Sequence, residues 1–296
     1  MQHIRGNSYF FNSPAAIGGY LFEKNLILFD TGNDDSSVKK AIRDLGEISV
    51  QAIFNTHSHA DHCGGNAYIQ RQHLATTYAP ALESAFIENP LLEPTYLYGA
   101  NPVAELQNKF LMAKPSHVNR ILVDDTPITI PLSSKDVTIQ PVSLKGHSPN
   151  QMGYVTEDGV AFLGDALISI SMIEKHPLIF TFDVTSHLES LNKLFELQTD
   201  TFVIAHGGIV EDKMLTIQKN IDALELTQTL ILESVGKGAY TIDEVHHYLS
   251  NYYQLTENLG QHLLNRSVIK AHLTHLVSKG KITFSVKDGI LQITHI

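Results

Sequence analysis

Asn55-Thr56-His57-Ser58-His59-Ala60-Asp61-His62-Cys63-Gly64-Gly65 follows a short apolar run, residues 48–54, and decides how the rest of the chain is read. Three imidazoles and one carboxylate, from His57, His59, Asp61 and His62, fall within six residues. Such a cluster makes a poor surface and an implausible core. Neutral imidazole and carboxylate are the donors that zinc and iron accept, at distances of ~2.0–2.2 Å. Turning all four inward requires a loop, and Gly64-Gly65 permits a tight turn into a helix expected to start near Gly64.

Working outward, five apolar runs end in the same way. LILF leads to Asp30, QAIFNT to His57, VSLKG to His147, VAFLG to Asp165 and TFVIA to His206. Each run reads as a strand with a potential ligand just beyond its C-terminal end, where rigid sheets commonly carry sites. His147, Asp165 and His206 are flanked by glycine, which lets backbone crowd close. Seven donors are too many for one tetrahedral ion and suit two. Asp165 is the natural bridge, because a carboxylate has two oxygens and an imidazole cannot bridge. Two cations ~3.5–4 Å apart bring the pKa of a shared water towards ~7.

Composition narrows the class. The 296 residues carry 21 Lys+Arg against 31 Asp+Glu, a net charge of −10, with one Cys, no Trp and 16 His. A single Cys excludes an intrachain disulfide framework and any all-cysteine metal site within one chain. The acidic balance argues against bulk electrostatic binding of nucleic acid or an anionic membrane. No run approaches the ~20 apolar residues a bilayer requires. Residues 1–18 lack a basic-then-apolar leader pattern, so a cytoplasmic protein is expected.

Short strand-like runs alternate with amphipathic segments, an α/β pattern. Residues 17–30 read as a hairpin turning near 23–25, and Ser36 or Ser37 is expected to cap a helix over 38–45. Pro80, Pro90, Pro94, Pro102 and Pro115 punctuate a stretch read as short helices and loops, not sheet. Strands are expected at 128–130, 137–144, 153–155, 160–163 and 201–205. A helix over 188–197 is capped by Asp183 or Ser186. From Lys213 the chain turns helical. Its tail reads as helices at 242–250 and 261–279, then a hairpin around Lys287-Asp288-Gly289.

Taken in order, the turn at Asp30, THSHADH, GHSP at His147, LGD at Asp165 and AHGG at His206 resemble the metallo-β-lactamase superfamily over roughly residues 9–211. The resemblance implies a four-layer αββα sandwich with a dinuclear site at one edge. It implies that His57, His59 and His147 hold one metal, that Asp61, His62 and His206 hold the other, and that Asp165 bridges. Asp30 either supports the ligands through hydrogen bonds or simply forms the turn before Thr31-Gly32. Cys63 is read as a small packing residue. Members that use a Cys ligand place it where this chain has Asp165, so antibiotic hydrolysis is not the expected activity. The pattern is closer to the glyoxalase II-like hydrolases.

Two departures set this chain apart. Between His62 and His147 lie 84 residues, and the excess is assigned to a helical insertion at about 79–119 that either covers the cleft or packs on the sandwich or at a dimer contact. The tail resembles a winged helix, giving a catalytic domain over 1–221 and a winged-helix-like α+β domain over 222–296. Residues 261–287 hold five basic and no acidic residues, compatible with phosphate contacts. Packing or homodimerisation is nonetheless the favoured reading over nucleic-acid binding.

The expected activity is metal-dependent hydrolysis of a small-molecule ester, thioester or lactone, with two divalent ions, zinc before iron or manganese. Asp61 is expected to orient the attacking water and relay a proton. Lys145, Lys175 and His176 are weaker candidates for substrate contact. The alternatives are a nucleic-acid phosphodiesterase, a mononuclear iron enzyme resembling persulfide dioxygenases and, last, a ligand-sensing regulator.

Overall fold

The computed structural model describes residues 1–43, 45–238, 240–256 and 258–296. Its first sheet runs β1 (Gln2–Arg5), β2 (Ser8–Phe11), β3 (Ile17–Phe22), β4 (Asn25–Phe29), β5 (Ser49–Phe54), β6 (Thr76–Pro80) and β7 (Arg120–Leu122), in that order. Pairing is antiparallel up to β4 and parallel from β4 to β7. The second sheet holds β8 (Ile128–Pro131), β9 (Asp136–Ser143), β10 (Met152–Val155), β11 (Val160–Phe162), β12 (Thr201–Ile204) and β13 (Gly208–Ile209). All its pairs are antiparallel except β11 with β12.

Alternation along β4 shows why the layers form. Ile27 and Phe29 face inward, into a core shared with Ile130, Ile139, Met152, Tyr154 and Phe162 of the second sheet. Leu26 and Leu28 face the other way, onto Val38, Ile42 and Ile69 of two outer helices, α1 (Asp35–Arg43) and, beyond the short α2 (Ala60–Cys63), α3 (Asn66–Gln72). A period of two sorts one strand's residues between two cores. The insertion then adds α4 (Ala81–Glu88) and α5 (Leu92–Tyr98), and α6 (Ile170–Lys175) follows β11. On the far side, α7 (Val184–Glu196) and the start of α8 (Lys213–Gly236) bury Leu191, Leu194, Ile217 and Leu224 against β11 and β12. The result is the expected αββα sandwich.

The C-terminal region packs a core of its own. Leu230, Ile231 and Val235 of α8 meet Val245 and Leu249 of α9 (Ile242–Tyr253) and Ile269, Leu273 and Leu276 of α10 (Leu259–Ser278). Ile282 and Ile293 close it from the hairpin β14 (Ile282–Lys287) and β15 (Ile290–His295). Asp288 and Gly289 both take positive φ, 51° and 75°, as a two-residue hairpin turn of this hand requires. The expected boundary at 221/222 falls within α8, whose earlier residues pack on the sandwich and later ones on this small core. Among the described residues, no helix is long and apolar enough to cross a membrane.

Local expectations need three corrections. α1 begins at Asp35 and its cap is Asp34, whose Oδ1 accepts the Ser37 backbone N–H at 3.0 Å; a carboxylate there outcompetes the serine hydroxyls. The helix expected near Gly64 is α3, starting at Asn66, but a separate short helix, α2, precedes it inside the motif at Ala60. The proline-punctuated stretch opens with a strand: β6 lies between β5 and β7, and Pro80 is its last residue.

Candidate metal centre

Phe29, Phe54 and Phe162 end β4, β5 and β11 and pack on one another or on Tyr154 beneath the sheet edge, with Phe29 and Phe162 stacked at 4.4 Å. The residues just beyond these ends therefore project from a rigid floor. Gly146 and Gly164 precede His147 and Asp165 with φ of 129° and 55°. A Cβ at Gly146 would lie 2.3 Å from the His187 backbone, and one at Gly164 would lie 2.5 Å from Thr56 Oγ1. Only glycine fits both turns.

The structure brings the seven expected donors together in three overlapping groups: His57, His59 and His147; His57, His62 and Asp165; and Asp61, His62 and His206. In the first, His59 Nδ1 stands 3.0 Å from His57 Nε2 and 3.1 Å from His147 Nε2. The outward nitrogens show which atoms carry protons. Thr56 Oγ1 donates to Asp30 Oδ2 at 2.8 Å, so it accepts from His57 Nδ1 at 3.0 Å. His147 Nδ1 donates to the Phe180 carbonyl at 3.1 Å. Both Nε2 atoms are thereby left as bare lone pairs aimed at His59, the arrangement in which a second partner fixes a ligating imidazole.

The other face is richer in charge. His206 Nδ1 donates to the Pro14 carbonyl at 3.1 Å, while its Nε2 lies 3.3 Å from Asp61 Oδ2 and 3.5 Å from Asp165 Oδ2. His62 Nδ1 donates to Asp30 Oδ2 at 2.7 Å, and its Nε2 faces Asp165 Oδ1 at 3.5 Å. Those last two atoms are buried without a hydrogen-bond partner among the described residues. Orphaned groups of this kind are costly. A divalent cation coordinated by them removes the cost, so the donor set fits a metal.

Electrostatics differ between the two faces. Burial, reinforced by the neighbouring imidazoles, holds His57 well below the ordinary histidine value. Burial does the same to His147. For His62, burial opposes charge, but Asp165, Asp30 and Asp61 outweigh it and push the imidazole well up. Asp165 is the main cause that raises His206 to about 10.

Asp30 lies just past β4 with φ of 60°. Its carboxylate accepts from the Thr56 backbone N–H and hydroxyl and from His62. It is a support for the histidines as well as a turn residue. Cys63 is buried, and its thiol donates to the Ser58 and His59 carbonyls. Burial raises that thiol well above its usual range. His176 lines the cleft beside the donor set. Lys145 and Lys175 are exposed and do not line it.

Two residues of the insertion escaped the sequence reading. Glu83, fully buried on α4, accepts from Ser58 through its backbone N–H (3.0 Å) and hydroxyl (2.6 Å), and from Ser148 Oγ and the Asn150 N–H, each at 2.8 Å. One carboxylate thus ties the His57–His62 loop to the His147 loop. Glu93, buried on α5, places Oε1 3.6 Å from His59 Nε2 and accepts from Tyr96. The signal was a glutamate on the inner face of each short helix, invisible until burial is known.

A face-to-face sandwich with a histidine–aspartate cluster at the strand ends defines a metallohydrolase architecture. The family model of the metallo-β-lactamase superfamily matches residues 18–206. The chain belongs to that superfamily and is one of its hydrolases. It is 22% identical over 276 residues to the atrochrysone carboxyl ACP thioesterase of Passalora fulva, covering 89% of this chain and 70% of that protein. It is 26% identical over 225 residues to the Bacillus subtilis (strain 168) protein named "Probable metallo-hydrolase YflN", covering 68% and 80%. A metallo-β-lactamase family protein from Thermus thermophilus shares the fold with a TM-score of 0.75 at 16% identity, over 98% of this chain and 99% of that one.

Proposed function

We propose that this chain hydrolyses an ester, thioester or lactone of a small molecule with two divalent ions, zinc foremost. His57, His59 and His147 would hold one, Asp61, His62 and His206 the other, and Asp165 both. The observation that carries this reading is the position of Asp165, whose carboxylate lies within reach of donors from both sets and faces the unpartnered His62 Nε2. A metal pair bound there supplies an activated water at neutral pH and polarises the substrate oxygen.

The chain's own residues do the rest. Asp61, with its side chain about 34% exposed, presents a carboxylate to the cleft where a water can be oriented and a proton held at an oxygen. His176 edges the same cleft. The thioesterase relative supports the thioester arm of the proposal.

The phosphodiesterase reading fares worse. Among the described residues no Lys or Arg lines the cleft, and Arg266, one of the five basic residues at 261–287, is ion-paired with Asp243. We read the winged-helix-like tail as a wall of the cleft, since Gln261, Leu264, Asn265 and Val268 of α10 line it.

Metal analysis of purified protein, followed by thioester, oxygen-ester, lactone, phosphodiester and β-lactam substrates beside His59→Ala, tests the proposal. Two ions per chain and acyl hydrolysis abolished in His59→Ala are expected. A single iron with no hydrolysis of any substrate would overturn it in favour of the iron-enzyme alternative.

A further inference from the structure

The cleft opens into a cavity of about 340 Å³, within the range of small-molecule pockets. One end is the donor cluster, through His59, Asp61, His147, Asp165 and His206. Away from that end the walls turn apolar. Ile168, Met172 and Ile179 come from the segment after Asp165, and Leu264 and Val268 from α10. Phe110, 72% exposed, stands as an apolar residue on the insertion's side. Of the polar groups on the α10 wall, Gln261 donates to Asn265 at 2.9 Å and so offers a partly satisfied face. Among the described residues, no Lys or Arg lines the cavity.

We propose that the cavity holds the uncharged, apolar acyl chain of a thioester or oxygen ester, and that α10 sets how long a chain is accepted. The inference rests on the hydrolytic reading above and narrows its substrate. The scissile carbonyl lies at the donor end and the acyl tail runs between the 168–179 segment and α10, leaving the thiol or alcohol portion outside the apolar wall. In the reaction a water oxygen bonds to the acyl carbon. The C–S or C–O bond breaks with its electron pair going to the leaving sulfur or oxygen, which takes up the water's proton. The products are a carboxylic acid and a thiol or alcohol; nothing is oxidised or reduced. Leu264 is the most informative position. It faces the cavity but is only partly buried, so its size can change without emptying a core.

The experiment uses metal-loaded full-length protein with two substrate series, N-acetylcysteamine thioesters and p-nitrophenyl esters, from acetyl to dodecanoyl. In parallel, binding of alkyl methyl ketones of rising length, uncharged and not hydrolysable, is followed by calorimetry. For the native chain, kcat/KM and ketone affinity are expected to rise about threefold to fourfold per methylene until the cavity is full, the transfer value of a buried CH₂. Leu264→Trp is expected to move that optimum to shorter chains and Leu264→Ala to longer ones. The native chain has no Trp, so the introduced indole also reports ketone entry by a fluorescence shift. A rise with either series or with both supports the pocket, and a rise confined to one series identifies the leaving atom as sulfur or oxygen. Hydrolysis indifferent to chain length, or an optimum that neither variant moves, overturns the pocket while leaving the hydrolase standing. Graded ketone binding without hydrolysis of any acyl substrate keeps the pocket and overturns the hydrolytic reading.

Discussion

Five histidines meet at the strand ends, and three others, His187, His272 and His275, lie buried where α7 meets α10. Residue type is the same, but the partners are opposite. In the cleft, inner nitrogens converge on one another or on Asp165, while outer nitrogens are held by Thr56, Asp30, Phe180 and Pro14. Between the helices, His187 spends both nitrogens, on Thr181 Oγ1 at 2.6 Å and the Ala166 carbonyl at 3.2 Å. His275 Nδ1 pairs with Thr185 Oγ1 at 2.8 Å, and neither nitrogen of His272 has a hydrogen-bond partner among the described residues. Burial lowers His187 to about 4 and His272 to about 3, whereas the carboxylates raise His62 and His206. Burial alone leaves a histidine neutral, at His57 and His147 in the cleft as at His187 and His272 between the helices. Carboxylates in front of His62 and His206 reverse that direction.

The comparison breaks most severely at Asp165. In Asp165→Asn the shape remains but the shared negative charge is lost. Loss of a Lewis-acid interaction worth roughly 4 kcal/mol corresponds to about 10³-fold in kcat/KM. Metal per chain, measured by plasma mass spectrometry after dialysis, is expected to fall with it. Unchanged metal content and activity would show that the two donor sets do not share this carboxylate.

Glu83→Gln comes next, since it acts on the ligand loops from behind. The amide keeps one acceptor oxygen, but its NH₂ must face either the Ser58 or the Ser148–Asn150 donors. A loss of about 10–100-fold in metal affinity is expected, the usual cost of disturbing an outer partner of a metal site. Titration against a chromophoric chelator measures it. An affinity equal to that of the native chain would reduce Glu83 to a packing residue.

At the helix interface the expected effect is on stability. A folded pKa of about 3 for His272 lies below its unfolded value near ~6.5. The unfolded chain binds the proton first, so the contribution is complete above about pH 6.5 and lost as pH falls towards about 3. The slope from one such group is up to ~1.4 kcal/mol per pH unit. His272→Leu should flatten the acid limb of urea-unfolding stability by about one proton, measured between pH 7 and 4. His187, lowered to about 4, and His275, lowered by burial, maintain part of the slope. An unaltered limb would mean that His272 is not neutral in the folded chain.

Which parts were legible follows from the range of the interactions. The ligand loop carries its signal within six residues, and the other donors lie at strand ends whose apolar runs are local. The four-layer sandwich comes from the resemblance those motifs carry, because β4 is apolar on both faces and its LILF run shows no alternation to read. The insertion is different: β6 ends in proline, and Glu83 is recognisable only once α4 is laid across the Ser58 and Ser148 loops, 25 and 65 residues away. The α10 wall is likewise illegible. Leu264 and Val268 are two apolar positions among many in that helix, and only the docking of α10 beside α5 and α7 turns them to the cleft.

The smallest effects belong to the three charged or titratable candidates flanking the motifs. Lys145 is used through its backbone, whose carbonyl accepts from Ser190 Oγ at 2.6 Å, while its side chain is exposed. Lys175 ends α6 with its side chain in solvent. Lys145→Ala and Lys175→Ala are therefore expected to stay within about ±0.5 kcal/mol in stability and within about twofold in kcat/KM. His176 shares the surface exposure but lines the cleft, so His176→Ala is expected to raise KM a few-fold with kcat retained, the mark of lost uniform binding. Steady-state kinetics on one acyl substrate separates the three. A lysine variant that lost more than His176→Ala would place a cationic contact outside the cavity, on the leaving group, and extend the recognised substrate beyond its acyl chain.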